Sequence, residues 1–88
     1  MPQTISVLAE NRPGVLIRVL NVVSARGWNI ETVQVAPTAD PRVSRILIGL
    51  DVGPEAVPRL LAQMNKAVQV LSTEDLSEVR VAAVAAQR

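Results

Sequence analysis

ENRPGVLIRVLNVVSARGWNIE, residues Glu10–Glu31, holds a turn, an amphipathic helix and the opening of a strand. Val15, Leu16, Val19, Leu20 and Val23 recur at helical spacing, with Arg18 and Asn21 between them, so a helix starts near Val15. Pro13 resists continuing any regular element backwards, and Asn11 is suited to bond the opening turn. At the far end, Arg26 complements the helix C-terminus and Gly27 is a left-handed stop. Gly14 has no Cβ, so the backbone there can lie close to another group. The unpaired N–H groups of the helix start behind it suit a small anion such as a carboxylate.

Working outward, Ile5, Val7 and Ala9 alternate with Thr4, Ser6 and Leu8 in a first strand of about six residues. Val33 and Val35 alternate with Thr32 and Gln34 in a second, ended by Ala36-Pro37. After the turn Thr38-Ala39-Asp40-Pro41, Ile46, Ile48, Leu50 and Val52 mark a third with a period of two. Gly53-Pro54 breaks it, and Val57, Leu60, Leu61 and Met64 give a second amphipathic helix with Pro58 in its first turn. Val68 and Val70 fall in a fourth strand, roughly 67 to 73.

The order β-α-β-β-α-β is the split βαβ, or ferredoxin-like, arrangement of class α+β. It implies a four-stranded antiparallel sheet with both helices on one face. The second strand then lies at a sheet edge, where its backbone is open to a second sheet. The domain is expected to span residues 1–76. The remainder, 77–88, has alternating Val79, Val81 and Ala83 but also helix-favouring alanines, and its structure is left open.

Composition narrows the function. Nine basic and eight acidic residues are spread without runs, which leaves no footprint for nucleic acid or an anionic membrane. Absence of cysteine and histidine removes disulfides, thiolate nucleophiles, the usual zinc ligands and the commonest general base. No apolar run is long enough to span a bilayer. No basic segment followed by an apolar one opens the chain, so a cytoplasmic protein is expected. An RNA-binding module of this topology needs aromatics on its central strands, and Trp28 is the one aromatic residue here. An acyl-phosphate hydrolase would use an anion loop with an arginine and a water-orienting amide, for which Arg12 and Asn11 are the available pair. No pairing of titratable groups elsewhere points to acid–base catalysis, and the chain reads as a non-enzyme. On the residues alone, Asn11 and Gly14 serve equally as a plain loop-to-helix junction.

A family resemblance separates these readings. The chain resembles an ACT domain, and specifically the small subunit of acetolactate (acetohydroxyacid) synthase in a short single-domain form. The resemblance rests on Glu10-Asn11-Arg12-Pro13-Gly14-Val15-Leu16 with Arg18-Val19, on Arg26-Gly27-Trp28-Asn29-Ile30-Glu31, and on Val35-Ala36-Pro37-Thr38. It continues through Asp40-Pro41, Ser44-Arg45, Gln63-Met64-Asn65-Lys66, Val68 and Val70-Leu71, in register over residues 3 to about 75. Pro-Gly-Val-Leu alone is a weak signal, whereas the two motifs R-G-x-N-I-E and A-P-T-x-D-P-x-x-S-R together are specific.

The resemblance implies a non-catalytic regulatory subunit that activates a catalytic partner and transmits feedback inhibition by valine or another branched-chain amino acid. It implies a homodimer joined through edge strands, with the amino acid at the seam. Asn11, Pro13, Gly14, Val15 and Leu16 of one protomer would meet Asn29 and Ile30 from the other. Thiamine diphosphate, magnesium and FAD would belong to the catalytic partner, with no cofactor or metal on this chain. An ACT-type amino-acid sensor for a different enzyme or transcription system is the alternative. Ile17 is bulkier than the serine often found at that position, and Trp28 stands where Tyr or Phe is usual.

Overall fold

The computed structural model describes residues 2–76; the 77–88 segment lies outside the described residues. The chain runs β1 (Pro2–Glu10), α1 (Val15–Ala25), β2 (Asn29–Pro37), β3 (Val43–Asp51), a 3-10 turn (Pro54–Ala56), α2 (Val57–Met64) and β4 (Val70–Asp75). The strands form one four-stranded sheet in the order β2-β3-β1-β4, antiparallel throughout. This is the ferredoxin-like order expected from the period changes.

Alternation decides which face is buried. Ile5, Val7 and Ala9 on β1 line up with Ile48, Ile46 and Ser44 on β3. The first five of these pack with Val15, Val19 and Val23 of α1 and with Val57, Leu60 and Met64 of α2. Both helices therefore lie over one face, and the core between the layers is aliphatic apart from Met64. Each fully buried aliphatic side chain contributes roughly 1.5–3 kcal/mol relative to exposure. Trp28 is half-buried and packs against the rim of this core.

Two boundaries differ from expectation. β1 runs nine residues rather than about six, because β3 pairs with it along its whole length, from Pro2↔Asp51 to Glu10↔Val43. β4 begins at Val70, not near Ala67. The chain leaving α2 keeps turning: Asn65, Lys66, Ala67 and Val70 donate their N–H groups to Leu61, Gln63, Met64 and Ala67 carbonyls. Val68, assigned to the strand by its β-branched side chain, instead sits on this turn with 85% of its surface exposed.

Candidate functional site

The turn between β1 and α1 is built by short-range main-chain bonds. Arg12 N–H donates to the Glu10 carbonyl at 3.0 Å, and Val15 N–H donates to the Arg12 carbonyl at 3.2 Å. Gly14 then takes a left-handed backbone, φ 84°, as the residue before α1. A side chain there would meet no neighbour, so glycine is needed for its backbone rather than for space. The first intrahelical bond runs from Arg18 N–H to the Gly14 carbonyl at 3.0 Å. No side chain caps this helix start. Among the described residues, the N–H groups of Leu16 and Ile17 have no acceptor. Two adjacent donors at a helix start, with the dipole behind them, favour a carboxylate.

The residues singled out in sequence take different places around this turn. Asn11, Pro13 and Gly14 are exposed. Val15 points into the core and its N–H is spent on Arg12, so it offers a ligand no free group. Leu16 and Ile17 are 37% and 65% exposed, beside their own free donors. Asn29 is exposed and Ile30 half-buried, at the start of β2. Asn29 pairs with Asp51 and Asp51 with Pro2, whereas Asn11 follows the Glu10↔Val43 pair. Within one chain the two asparagines therefore lie at opposite ends of the sheet, about 26 Å apart along β3 at the usual strand rise. One protomer does not bring the expected site together.

Asn11 is not a helix cap. Its side-chain Nδ2 donates to the Pro41 carbonyl at 3.0 Å, and its backbone N–H donates to the Arg42 carbonyl at 2.8 Å. Both acceptors sit on the turn between β2 and β3. That turn is held from within by the Thr38 hydroxyl, which bridges to the Asp40 and Val43 carbonyls at 2.8 and 3.0 Å and accepts from Asp40 N–H at 3.1 Å. The Asp40 carboxylate in turn accepts from Arg42 N–H, Nε and Nη2 at 2.9, 3.1 and 3.0 Å. These donors hold the Asp40 carboxyl below the usual carboxylate range and raise the Arg42 guanidinium above its ordinary value. Nothing in the sequence around Asn11 points to Pro41, whose carbonyl is thirty positions away.

An open groove of about 550 Å³ lies beside the Asn11–Pro41 contact, lined by Arg12, Arg42, Val43 and Leu71 among others. None of Pro13–Leu16 lines it, so it is a separate feature from the helix start. Among the described residues there is no cluster of acidic groups that could hold a metal ion and no helix long and apolar enough to cross a membrane.

The family model of the AHAS small subunit-like ACT domain matches residues 5–72. The chain belongs to this family. Its match covers every element described above except the first residues of β1 and the last of β4. Related proteins include the acetolactate synthase isozyme 3 small subunit of Escherichia coli, 40% identical over 78 residues, covering 89% of this chain and 48% of that protein. The probable acetolactate synthase small subunit of Archaeoglobus fulgidus is 36% identical over 81 residues, covering 92% of this chain and 51% of that one. Among solved structures, the acetolactate synthase small subunit from Thermotoga maritima superposes with a TM-score of 0.79 at 28% identity, over 85% of this chain and 47% of that chain. The ACT domain thus spans about half the length of the relatives it matches.

Proposed function

We propose that this ACT domain acts as a regulatory, non-catalytic partner of the acetolactate synthase catalytic chain and senses a branched-chain amino acid, valine first among them. Thiamine diphosphate, magnesium and FAD are carried by the partner on this reading. The amino acid sits at the seam of a homodimer formed edge to edge by β2. The observation that carries the reading is topological. β2 is an edge strand, and two copies paired antiparallel place Asn29 of one beside Pro37 of the other. Pro37 lies at the same end of the sheet as Asn11 and the start of α1, since Pro37↔Ser44 adjoins Glu10↔Val43. Dimerisation thereby unites the two halves that one chain holds apart.

Each end of the ligand then has a chemical match. Its carboxylate meets the free N–H groups of Leu16 and Ile17, and its ammonium meets the amide oxygens of Asn11 and the partner's Asn29. The exposed side chains of Leu16, Ile17, Val33 and Val35 take its aliphatic group. Regulation follows if the catalytic chain binds the ligand-free and ligand-bound arrangements of the dimer with different affinities.

Calorimetry with valine, leucine and isoleucine tests the sensor, with Asn11→Ala alongside. Binding between micromolar and millimolar that the substitution abolishes is expected. A folded dimer that binds none of the three would leave an activator without feedback. Adding the chain to an acetolactate synthase catalytic subunit should raise turnover, and the preferred amino acid should reverse the gain.

A further inference from the structure

We propose that the open groove at the turn end of the sheet is where the acetolactate synthase catalytic chain docks, through a segment that carries a carboxylate beside an aliphatic side chain. The inference rests on the proposed partnership with that chain and assigns it a surface. Three turns meet at this end: β1 to α1, β2 to β3, and the turn leaving α2, whose Gln69 carbonyl accepts the Glu10 N–H at 2.9 Å. The groove offers Pro41, Val43 and Leu71 as its apolar part. Leu71 is the residue left over at the register break of β4 against β1, and it is 54% exposed. Val68, on the turn leaving α2, is more exposed still. Exposed aliphatic side chains beside a concave surface, with no described element over them, mark a place of association.

Charge decides what kind of partner fits. The chain is nearly neutral as a whole, but the fold sorts its charges. Arg12, Arg42, Arg45 and Lys66 gather at the groove end with only Glu10 and Asp40. Glu31, Asp51, Glu55 and Asp75 lie toward the opposite end with Arg26 and Arg59. At the groove each carboxylate orders one guanidinium, Glu10 through Arg12 Nη1 at 3.3 Å and Asp40 through Arg42 Nε and Nη2. Nε and Nη2 of Arg12 and Nη1 of Arg42 are left for an incoming acceptor. An arginine already ordered by a neighbour loses less side-chain freedom on binding a second carboxylate. Arg45 adds a cation with no acceptor among the described residues, two positions from Val43 on the same face of β3 and opposite Leu8. Arg12 and Arg42 are exposed to solvent, so the groove suits a protein segment laid across it rather than an enclosed small molecule. The groove also touches both parts of the proposed regulatory machinery. Arg12 lies on the turn that leads into Gly14 and α1, and Pro41 and Arg42 lie on the turn that ends β2 at the seam. A change in the seam on amino-acid binding therefore alters the surface the partner meets, which supplies the unequal affinity that regulation requires.

The test titrates the full chain into an acetolactate synthase catalytic chain and reads the concentration that gives half-maximal activation. Arg45→Glu and Leu71→Gln should each raise it about tenfold, while the dimer and calorimetric binding of valine stay as in the unaltered protein. Arg59→Glu makes the same charge change on α2, away from the groove, and should leave it within about twofold. Raising salt from about 0.05 to about 0.3 M should weaken activation by the unaltered chain and have a smaller effect on Arg45→Glu. Undiminished activation by both groove variants, or equal losses in Arg45→Glu and Arg59→Glu, would overturn the inference while leaving the regulatory reading standing. Assembly of the chain alone beyond a dimer that Arg45→Glu prevents would give the groove to the acidic end of a second copy, and would also overturn it. An unaltered chain that binds valine yet neither binds nor activates the catalytic chain would remove the partnership and the inference together.

Discussion

The two edges of this sheet are built in opposite ways. β2 has nine residues, all exposed except half-buried Ile30, and its outer backbone groups face no strand among the described residues. Val33 and Val35 line up with Ile48 and Ile46 on the helix side, yet they remain 38% and 51% exposed and take no part in the core. β4 has six residues, a register break against β1 between Leu8 and Ala9, and the polar run Ser72-Thr73-Glu74-Asp75. Short length, a bulge and charge are the devices by which edge strands avoid pairing, and β4 has all three. β2 carries Glu31 at its own register shift, but from Thr32 to Pro37 it is regular and bears no charge. One edge is closed to further strands and the other is shaped to receive one.

The largest effect should come from breaking the open edge. Val33→Lys places a charge on each of two strands that run antiparallel at the proposed seam. Lost apolar burial and like-charge proximity together should weaken the dimer by roughly 2–3 kcal/mol. Sedimentation would then show monomer at concentrations where the unaltered protein is dimeric, with amino-acid binding lost in parallel. A dimer of undiminished affinity would place the seam elsewhere.

A subtler break acts from inside the sheet. Gly49 on β3 lies opposite Thr32 on β2, and a Cβ at Gly49 would meet the Thr32 hydroxyl. Gly49→Ala must turn the Thr32 side chain or push β2 outward, which should cost about 1–2 kcal/mol of stability. Because the displaced strand is the one that pairs, the melting temperature should also become more dependent on protein concentration. Gly49→Ala combined with Thr32→Ser or Thr32→Ala should recover most of the loss.

How far the sequence discloses this contrast depends on the range of the interactions. The alternation of Val33 and Val35 and the helical spacing from Val15 to Val23 are local signals, and both elements stand where those signals place them. The edge position of β2 follows from element order alone. Val68 misleads because a β-branched residue next to Val70 reads as strand, while main-chain bonds back to α2 hold it on a turn. Asn11 reads as a cap because a cap is the local use of an asparagine before a helix. Its actual partner, the Pro41 carbonyl, becomes a neighbour only once β1 and β3 pair, and nothing near Asn11 announces that. The separation of Asn11 from Asn29 is likewise a property of the sheet order, invisible in either motif.

The closed edge should be more forgiving. Thr73 Oγ1 donates to Asn65 Oδ1 at 3.2 Å, tying β4 to the end of α2. Thr73→Val keeps the β-branched shape and removes the bond, at a cost of about 0.5–1 kcal/mol. Sedimentation should show no change in assembly, because the substitution leaves β2 untouched. A shift in oligomeric state would mean that β4 also takes part in association and would undo the contrast between the edges.

The smallest effect concerns the turn at the end of the open edge. Donation from the Arg42 guanidinium and then from the Arg42 N–H lowers the Asp40 carboxyl below its ordinary value. The group therefore binds a proton less readily in the folded chain than in the unfolded one. Its contribution is complete above the unfolded value of about 3.9 and is lost as the pH falls through the lower folded value. Asp40 and Arg42 are exposed to solvent, so the response should be local, with little change in global melting. Following the Arg42 amide and Nε–H signals from pH 7 downward should give one titration with its midpoint below the ordinary carboxylate range, while the Thr73 amide on β4 stays still. Asp40→Asn keeps an acceptor for Arg42 N–H but cannot titrate, so the step should vanish. If the step survives in Asp40→Asn, another group governs the turn, and the brace on Asn11 and on the end of β2 must be sought in the Thr38 hydroxyl alone.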